Sequence, residues 1–189
     1  MQFPKNIQIS YNAPFTLTFT LIVFVATVVA AITDGASSRL AFTVYAPMDW
    51  SSPLAYFQWV SHIIGHGSWA HFASNFTIIL LVGPILEEKY GSGRMLGMTV
   101  ITALITGLLH SVFASGGLLG ASGIAFMMIL LSSLSGMRSG AIPMTFLLVA
   151  ILYGGSEIFA AIANDDNVSQ FAHLVGGGCG AVFGFLLKR

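Results

Sequence analysis

The chain has 189 residues, of which 56% are hydrophobic and only 7% charged. Soluble domains carry about 25% charged residues, so the deficit excludes a water-soluble globular protein and assigns the chain to the bilayer. A formal net charge of zero with no basic cluster argues against nucleic acid as a partner, and a single cysteine, Cys179, excludes an internal disulfide.

Six segments are long and apolar enough to be read as spanning helices: residues 13–32, 69–86, 95–113, 122–137, 141–163 and 168–187. The first lacks a cleavage site of small residues, so it reads as a retained helix rather than a signal peptide. With the N-terminus in the cytoplasm, Lys5, Lys89, Arg94, Arg138, Lys188 and Arg189 fall inside and Arg39 alone falls outside. That bias predicts both termini on the cytoplasmic side and an even number of spans.

The loop from about Thr33 to Ser68 is rich in aromatic residues, including Tyr45, Trp50, Tyr56, Phe57 and Trp59. It reads as a segment lying in the outer interface. The second helix follows His66-Gly67-Ser68-Trp69-Ala70-His71 and carries Asn75; Glu87 to Arg94 then forms a charged inner turn. A short outer loop, Ser115-Gly116-Gly117, leads to Gly120-Ala121-Ser122-Gly123 at the head of the fourth helix. Glu157 lies in the fifth helix, Asn164 to Asn167 form a polar outer turn, and the sixth carries His173 with Gly176, Gly180 and Gly184 along its face. One compact domain, residues 1–189, accounts for the chain.

Polar groups inside a bilayer are costly and mark candidate sites. Ser122 lies 16 residues before Arg138 and His173 lies 15 before Lys188, which places them roughly 24 and 22 Å above the inner edge at the helical rise. Asn75 and His71 lie 14 and 18 residues before Lys89, or roughly 21 and 27 Å up. In a core about 30 Å thick, all four occupy one layer near the outer surface. The fourth helix is short for a span, so its head is expected to sink into the protein, with a loop tolerated there only if it is shielded or lines a water-filled cavity. Small residues repeated every four positions let two membrane helices meet backbone to backbone, which would bring His173 toward Ser122.

A neutral imidazole beside a serine makes the hydroxyl a nucleophile. His71 and Asn75, four residues apart on one helix face, can aim at one spot and, with the Ser122 N–H, form a hole for the oxyanion. No acid is placed to complete a triad, so the expectation is a Ser122–His173 dyad. The motif differs from the Gly-x-Ser-x-Gly elbow of soluble hydrolases, because Ile124 holds the fifth position. His66 is expected to support the loop, and His62 and His110 to lie at the interface. His62 and His66 also have the spacing of a helical metal pair, but few embedded carboxylates exist to balance a divalent cation. No metal or cofactor is expected.

The patterns His66-x4-His71-x3-Asn75, Gly120-x-Ser122-Gly123 and Ala172-His173-x2-Gly176-x3-Gly180, with Glu87-x3-Gly91-Ser92-Gly93, resemble those of rhomboid intramembrane serine proteases of the compact six-helix bacterial type. The resemblance covers roughly residues 58–187. It implies an all-α integral membrane protein, a six-transmembrane-helix bundle of the rhomboid type with an interfacial first loop. It also implies Ser122 as nucleophile, His173 as general base and acid, and His71, Asn75 and the Ser122 amide as oxyanion donors. The aromatic that stacks on the base histidine in the family is here Phe126 rather than the commoner tyrosine. Trp50 is followed by Ser51 where the family has a Trp-Arg pair. The implied partners are transmembrane protein substrates and the lipid bilayer, in a bacterial inner membrane with the site opening outward. Oligomeric state, natural substrate and gate are not legible. The competing reading is a catalytically silent protein of the same type that binds or escorts membrane helices.

Overall fold

In the computed structural model, residues 10–136, 141–155 and 168–187 are described. The protein is mostly helical. Its first helix, α1 (Pro14–Ile32), is followed by a short α2 (Ala36–Ala41), strand β1 (Val44–Ala46) and α3 (Pro53–Ser61). Then come α4 (Trp69–Tyr90), α5 (Ser92–Phe113), strand β2 (Gly116–Leu118) and α6 (Ser122–Leu134). Helix α7 (Met144–Val149) runs into a π-helical turn, Ala150–Gly154, and α8 (Val168–Leu186) follows. Among the described residues, α1, α4 and α5 are long and apolar enough to cross a membrane. The helices beginning at Ser122, Met144 and Val168 are apolar, with shorter described apolar stretches.

Several sequence expectations change. The chain is not purely α: β1 and β2 pair antiparallel, with Val44 opposite Leu118 and Ala46 opposite Gly116. The long first loop is therefore built in, rather than only laid on the interface. Gln58 Nε2 donates to the Leu40 carbonyl and Ser61 Oγ to that of Ala41, at 2.8 and 2.7 Å. Leu40, Tyr45, Trp50, Tyr56 and Phe57 stay exposed on it, so it also keeps an apolar outer face. The expected turn from Glu87 to Arg94 shrinks to Gly91, because α4 extends to Tyr90 and α5 starts at Ser92. Gly91 has φ +83°, a conformation glycine adopts without strain.

Glu87 explains why α4 runs on. Its buried carboxylate accepts hydrogen bonds from Phe15 N–H, Thr16 N–H, Thr16 Oγ1 and Ser92 Oγ, at 2.6 to 2.9 Å. The amides at the start of α1 have no acceptor within their own helix, and a carboxylate suits the positive end of the helix dipole. One side chain thus fastens α1 to α4 and to the start of α5. Lys89 Nζ donates to the Ser135 carbonyl beyond the end of α6.

The apolar core is centred on α6. Ile124, Met127, Met128 and Leu131 are among its fully buried side chains, packed with Phe76, Ile79, Leu86 and Met95 of the α4–α5 hairpin. Glu157, Arg138, the Asn164–Asn167 turn and the two C-terminal basic residues lie outside the described residues.

Candidate active site

Ser122 opens α6, so its N–H has no acceptor inside that helix. The residues before it are fixed by the first loop and by histidines. Strand β2 is held on β1, and the Gly116 carbonyl accepts from His110 Nε2 at 3.3 Å. Gly120 N–H donates to the His62 carbonyl at 2.9 Å, and Ala121 N–H points to His66 Nε2 at 3.5 Å. Gly120 has φ +122°, which disfavours any side chain, and a Cβ there would lie 2.6 Å from the His71 ring and 3.8 Å from Asn75 Nδ2. Both glycine properties are used: the loop turns, and it turns directly against His71 and Asn75.

Asn75 is buried, and its Nδ2 donates to His66 Nε2 at 3.1 Å. That nitrogen therefore acts as an acceptor, which leaves the proton on Nδ1, facing the Ile64 carbonyl at 3.4 Å. Burial, with the neighbouring His71 adding to it, holds the His66 pKa down to about 4, so the imidazole is neutral at pH 7 and can accept. His71 is the third residue of α4, in its first turn, where its N–H donates to the capping Ser68 side chain at 3.1 Å. It is half-buried and lies within electrostatic range of His173.

Helices α6 and α8 share the most extensive helix packing among the described elements. A Cβ on Gly123 would come 3.2 Å from the Ala172 carbonyl oxygen, and one on Gly176 would collide with the Gly123 carbonyl. Gly180 meets the Met127 backbone in the same way. The residue after Ser122 thus touches the residue before His173. The His173 ring stacks on Phe126 with centroids 4.2 Å apart and planes 6° from parallel, and Tyr153 meets Phe126 edge-on at 5.6 Å. Phe126 lies one turn after Ser122, on the same helix face. A small apolar cavity of about 220 Å³ adjoins this stack, walled by Phe126, Tyr153 and His173 with Leu130, Leu174 and Gly178.

All ten residues singled out from the sequence (Ser122, His173, His71, Asn75, His66, Gly120, Gly123, Phe126, Gly176 and Gly180) fall in this one region. His62 and His110 depart from expectation. They are not interface residues but are buried, at 2% and 0% exposure, with Nε2 of each donating to a backbone carbonyl, Ala103 for His62 and Gly116 for His110. Their part is to hold the loop that carries Ser122. The signal available in the sequence was only an unusual number of histidines around two glycine-rich loops. Among the described residues, no group of three His, Cys, Asp or Glu side chains is arranged to hold a metal ion.

Comparison with known proteins agrees with the resemblance read from the motifs. The family profile of the Rhomboid domain matches residues 53–189. The chain is 27% identical over 134 residues to Rhomboid protease GlpG of Serratia proteamaculans, covering 69% of this chain and 48% of that protein. It is 29% identical over 170 residues to Rhomboid protease GlpG of Yersinia enterocolitica, covering 85% and 60%. It is 32% identical over 145 residues to Rhomboid-like protein 15 of Arabidopsis thaliana, covering 68% and 35%. The chain thus spans between about a third and three-fifths of the length of these relatives. The profile takes in every residue of the site and all five histidines discussed above, so the chain is an integral membrane protein that belongs to the rhomboid family.

Proposed function

We propose that this protein is an intramembrane serine endopeptidase that hydrolyses peptide bonds in or next to the transmembrane helices of other membrane proteins. The observation that supports the reading is the close backbone approach of Gly123, next to Ser122, to Ala172, next to His173, and to Gly176 on the facing helix. In this reading the chain is one domain of six spans. Both termini lie in the cytoplasm and the site opens to the outer side of a bacterial inner membrane.

His173 takes the proton of the Ser122 hydroxyl as Oγ attacks the scissile carbonyl. The carbonyl oxygen becomes an oxyanion, which accepts from the Ser122 N–H, the Asn75 amide and the His71 imidazole. The imidazolium of His173 then gives its proton to the leaving amine, and the acyl group stays on Oγ. Water attacks this ester while His173 takes a proton from it, and the same proton returns to Oγ as the acid product leaves. Phe126 limits ring rotation by stacking, a job that an acid takes in a triad.

The test is covalent labelling of the purified protein with a fluorophosphonate, followed by cleavage of a helical membrane substrate in vesicles. Ser122→Ala must abolish both, His173→Ala must abolish cleavage, and Asn75→Ala must lower kcat by roughly 100-fold. An unlabelled Ser122 with no substrate cut overturns the reading in favour of a silent helix-binding protein.

A further inference from the structure

The base of the proposed dyad has open space beside it. The cavity of about 220 Å³ borders His173, and Phe126 and Tyr153 stand in the same wall. Close packing fixes an interior side chain in one orientation, and a ring that borders a void lacks that constraint on the open side. The stacking partner shares the problem, because Phe126 is only half-buried and borders the same space. A stack between two rings walled on one side sets their mutual angle. It does not by itself fix where the pair stands.

Tyr153 supplies a further brace. Its ring meets Phe126 at 5.6 Å with the planes 84° apart, while Phe126 lies 4.2 Å from His173 with planes 6° from parallel. Edge-on contact is an arrangement that the ring quadrupole favours. Rings from α8, α6 and the segment after α7 thus make one column, with Phe126 touching both of the others. A perpendicular ring against Phe126 opposes the sliding and tilting that a flat stack alone permits.

Tyr153 is not placed as a core packing residue would be. It is 42% exposed, and none of the described residues from Met144 to Gly154 is buried. It also stands in the π-helical turn Ala150–Gly154. Such turns are rare and occur frequently at functional sites. The turn, the edge-on contact and the wall shared with His173 meet at this one side chain.

We propose that Tyr153 is a positioning residue for the base: acting through Phe126, it holds the His173 ring at the angle that proton transfer needs. It touches no reacting atom. The segment Met144–Gly154 thereby reaches the chemistry, since a shift of that segment arrives at the base as a tilt of its ring. The effect on rate rests on the proposed proteolysis, whereas the ring column does not.

Two readouts test it on the full chain in micelles. The first is the proton resonance of Cε1–H in His173, one of five histidines, assigned by its loss in His173→Ala. Stacking on Phe126 shifts this signal upfield, and Tyr153→Leu is expected to move it toward its position in Phe126→Leu. Unmoved signals from buried His62 and His110 show that the variant keeps its fold. The second readout is cleavage of a helical membrane substrate. Tyr153→Leu is expected to lower kcat roughly three- to tenfold with KM little changed, and Tyr153→Phe to recover most of the loss. Adding Tyr153→Leu to Phe126→Leu should cost little more than Phe126→Leu alone, because residues in one contact network act together. An unmoved His173 signal overturns the proposal, and so does a change in KM alone or a kcat that Tyr153→Leu leaves intact. A parent that cleaves nothing overturns the proteolytic reading instead, and the resonance still decides whether Tyr153 holds the ring.

Discussion

The imidazole of His173 lies flat against the ring of Phe126, 4.2 Å from centroid to centroid. An aromatic stack is worth about 0.5–1.5 kcal/mol beyond the area it buries, and here it holds the orientation of the ring that the proposed mechanism uses as the base for Ser122. Phe126→Leu keeps apolar volume but loses the flat face. It is expected to lower kcat roughly tenfold with KM little changed, measured by cleavage of a helical substrate in vesicles. Phe126→Tyr keeps the stack and should retain activity within roughly threefold of the parent. If Phe126→Leu raises KM alone, the ring serves substrate binding instead.

Gly176 has no room for a methyl group, because a Cβ would fall on the Gly123 carbonyl, whereas Gly178 on the same helix has nothing within 4 Å. Gly176→Ala forces α8 away from α6 and with it His173 from Ser122. It should destabilise by roughly 1–3 kcal/mol and remove activity, since a displacement of about 1 Å can cost on the order of 100-fold. Gly178→Ala meets only the general preference of helices for alanine, and should leave stability unchanged or raise it by up to about 1 kcal/mol. Thermal unfolding of the two variants side by side separates tight packing from helix propensity.

These residues show what the sequence makes legible. The His173–Gly176–Gly180–Gly184 spacing states a helix face and what that face needs, a partner with equally small residues. Charge depletion and the Lys/Arg pattern state the solvent. Those are local or periodic signals. The β1–β2 pair is not local: Val44–Ala46 and Gly116–Leu118 are too short to be read as strands, and each exists because the other is there. The burial of His62 and His110 is hidden for the same reason, since a histidine near a loop says nothing about which carbonyl it will meet. Glu87 looks like a charge at a turn until α1 arrives and its amides need an acceptor.

His66 Nε2 accepts from Asn75 Nδ2 and faces the Ala121 amide, so in the proposed mechanism it orients both an oxyanion donor and the residue before the nucleophile. It is a positioning residue in this arrangement. His66→Phe fills the space but accepts nothing, leaving the Asn75 amide free to turn. The expected loss is roughly 10- to 100-fold in kcat with labelling of Ser122 by a fluorophosphonate slowed as well. His66→Gln offers an amide oxygen in place of Nε2 and should recover part of the loss. A variant that loses stability but keeps kcat in the folded fraction would show that His66 serves the fold alone.

His62 makes the acid response of the fold predictable. Burial, with His110 nearby, pulls its pKa from the ordinary 6.5 down to about 4, although the bond to the Ala103 carbonyl opposes the shift. Between those two values the unfolded chain binds a proton that the folded chain refuses. Stability from this group is therefore complete above pH 6.5, falls as pH drops through the window, and changes no further below about 4. The shift corresponds to about 3 kcal/mol across the window. His66, also held to about 4, adds to the slope in the same sense. Unfolding in detergent micelles from pH 7.5 to 4 should show this loss, and His62→Gln should flatten the slope while lowering stability at pH 7.5. An unchanged slope in His62→Gln would mean that protonation at His62 is not what the acid attacks.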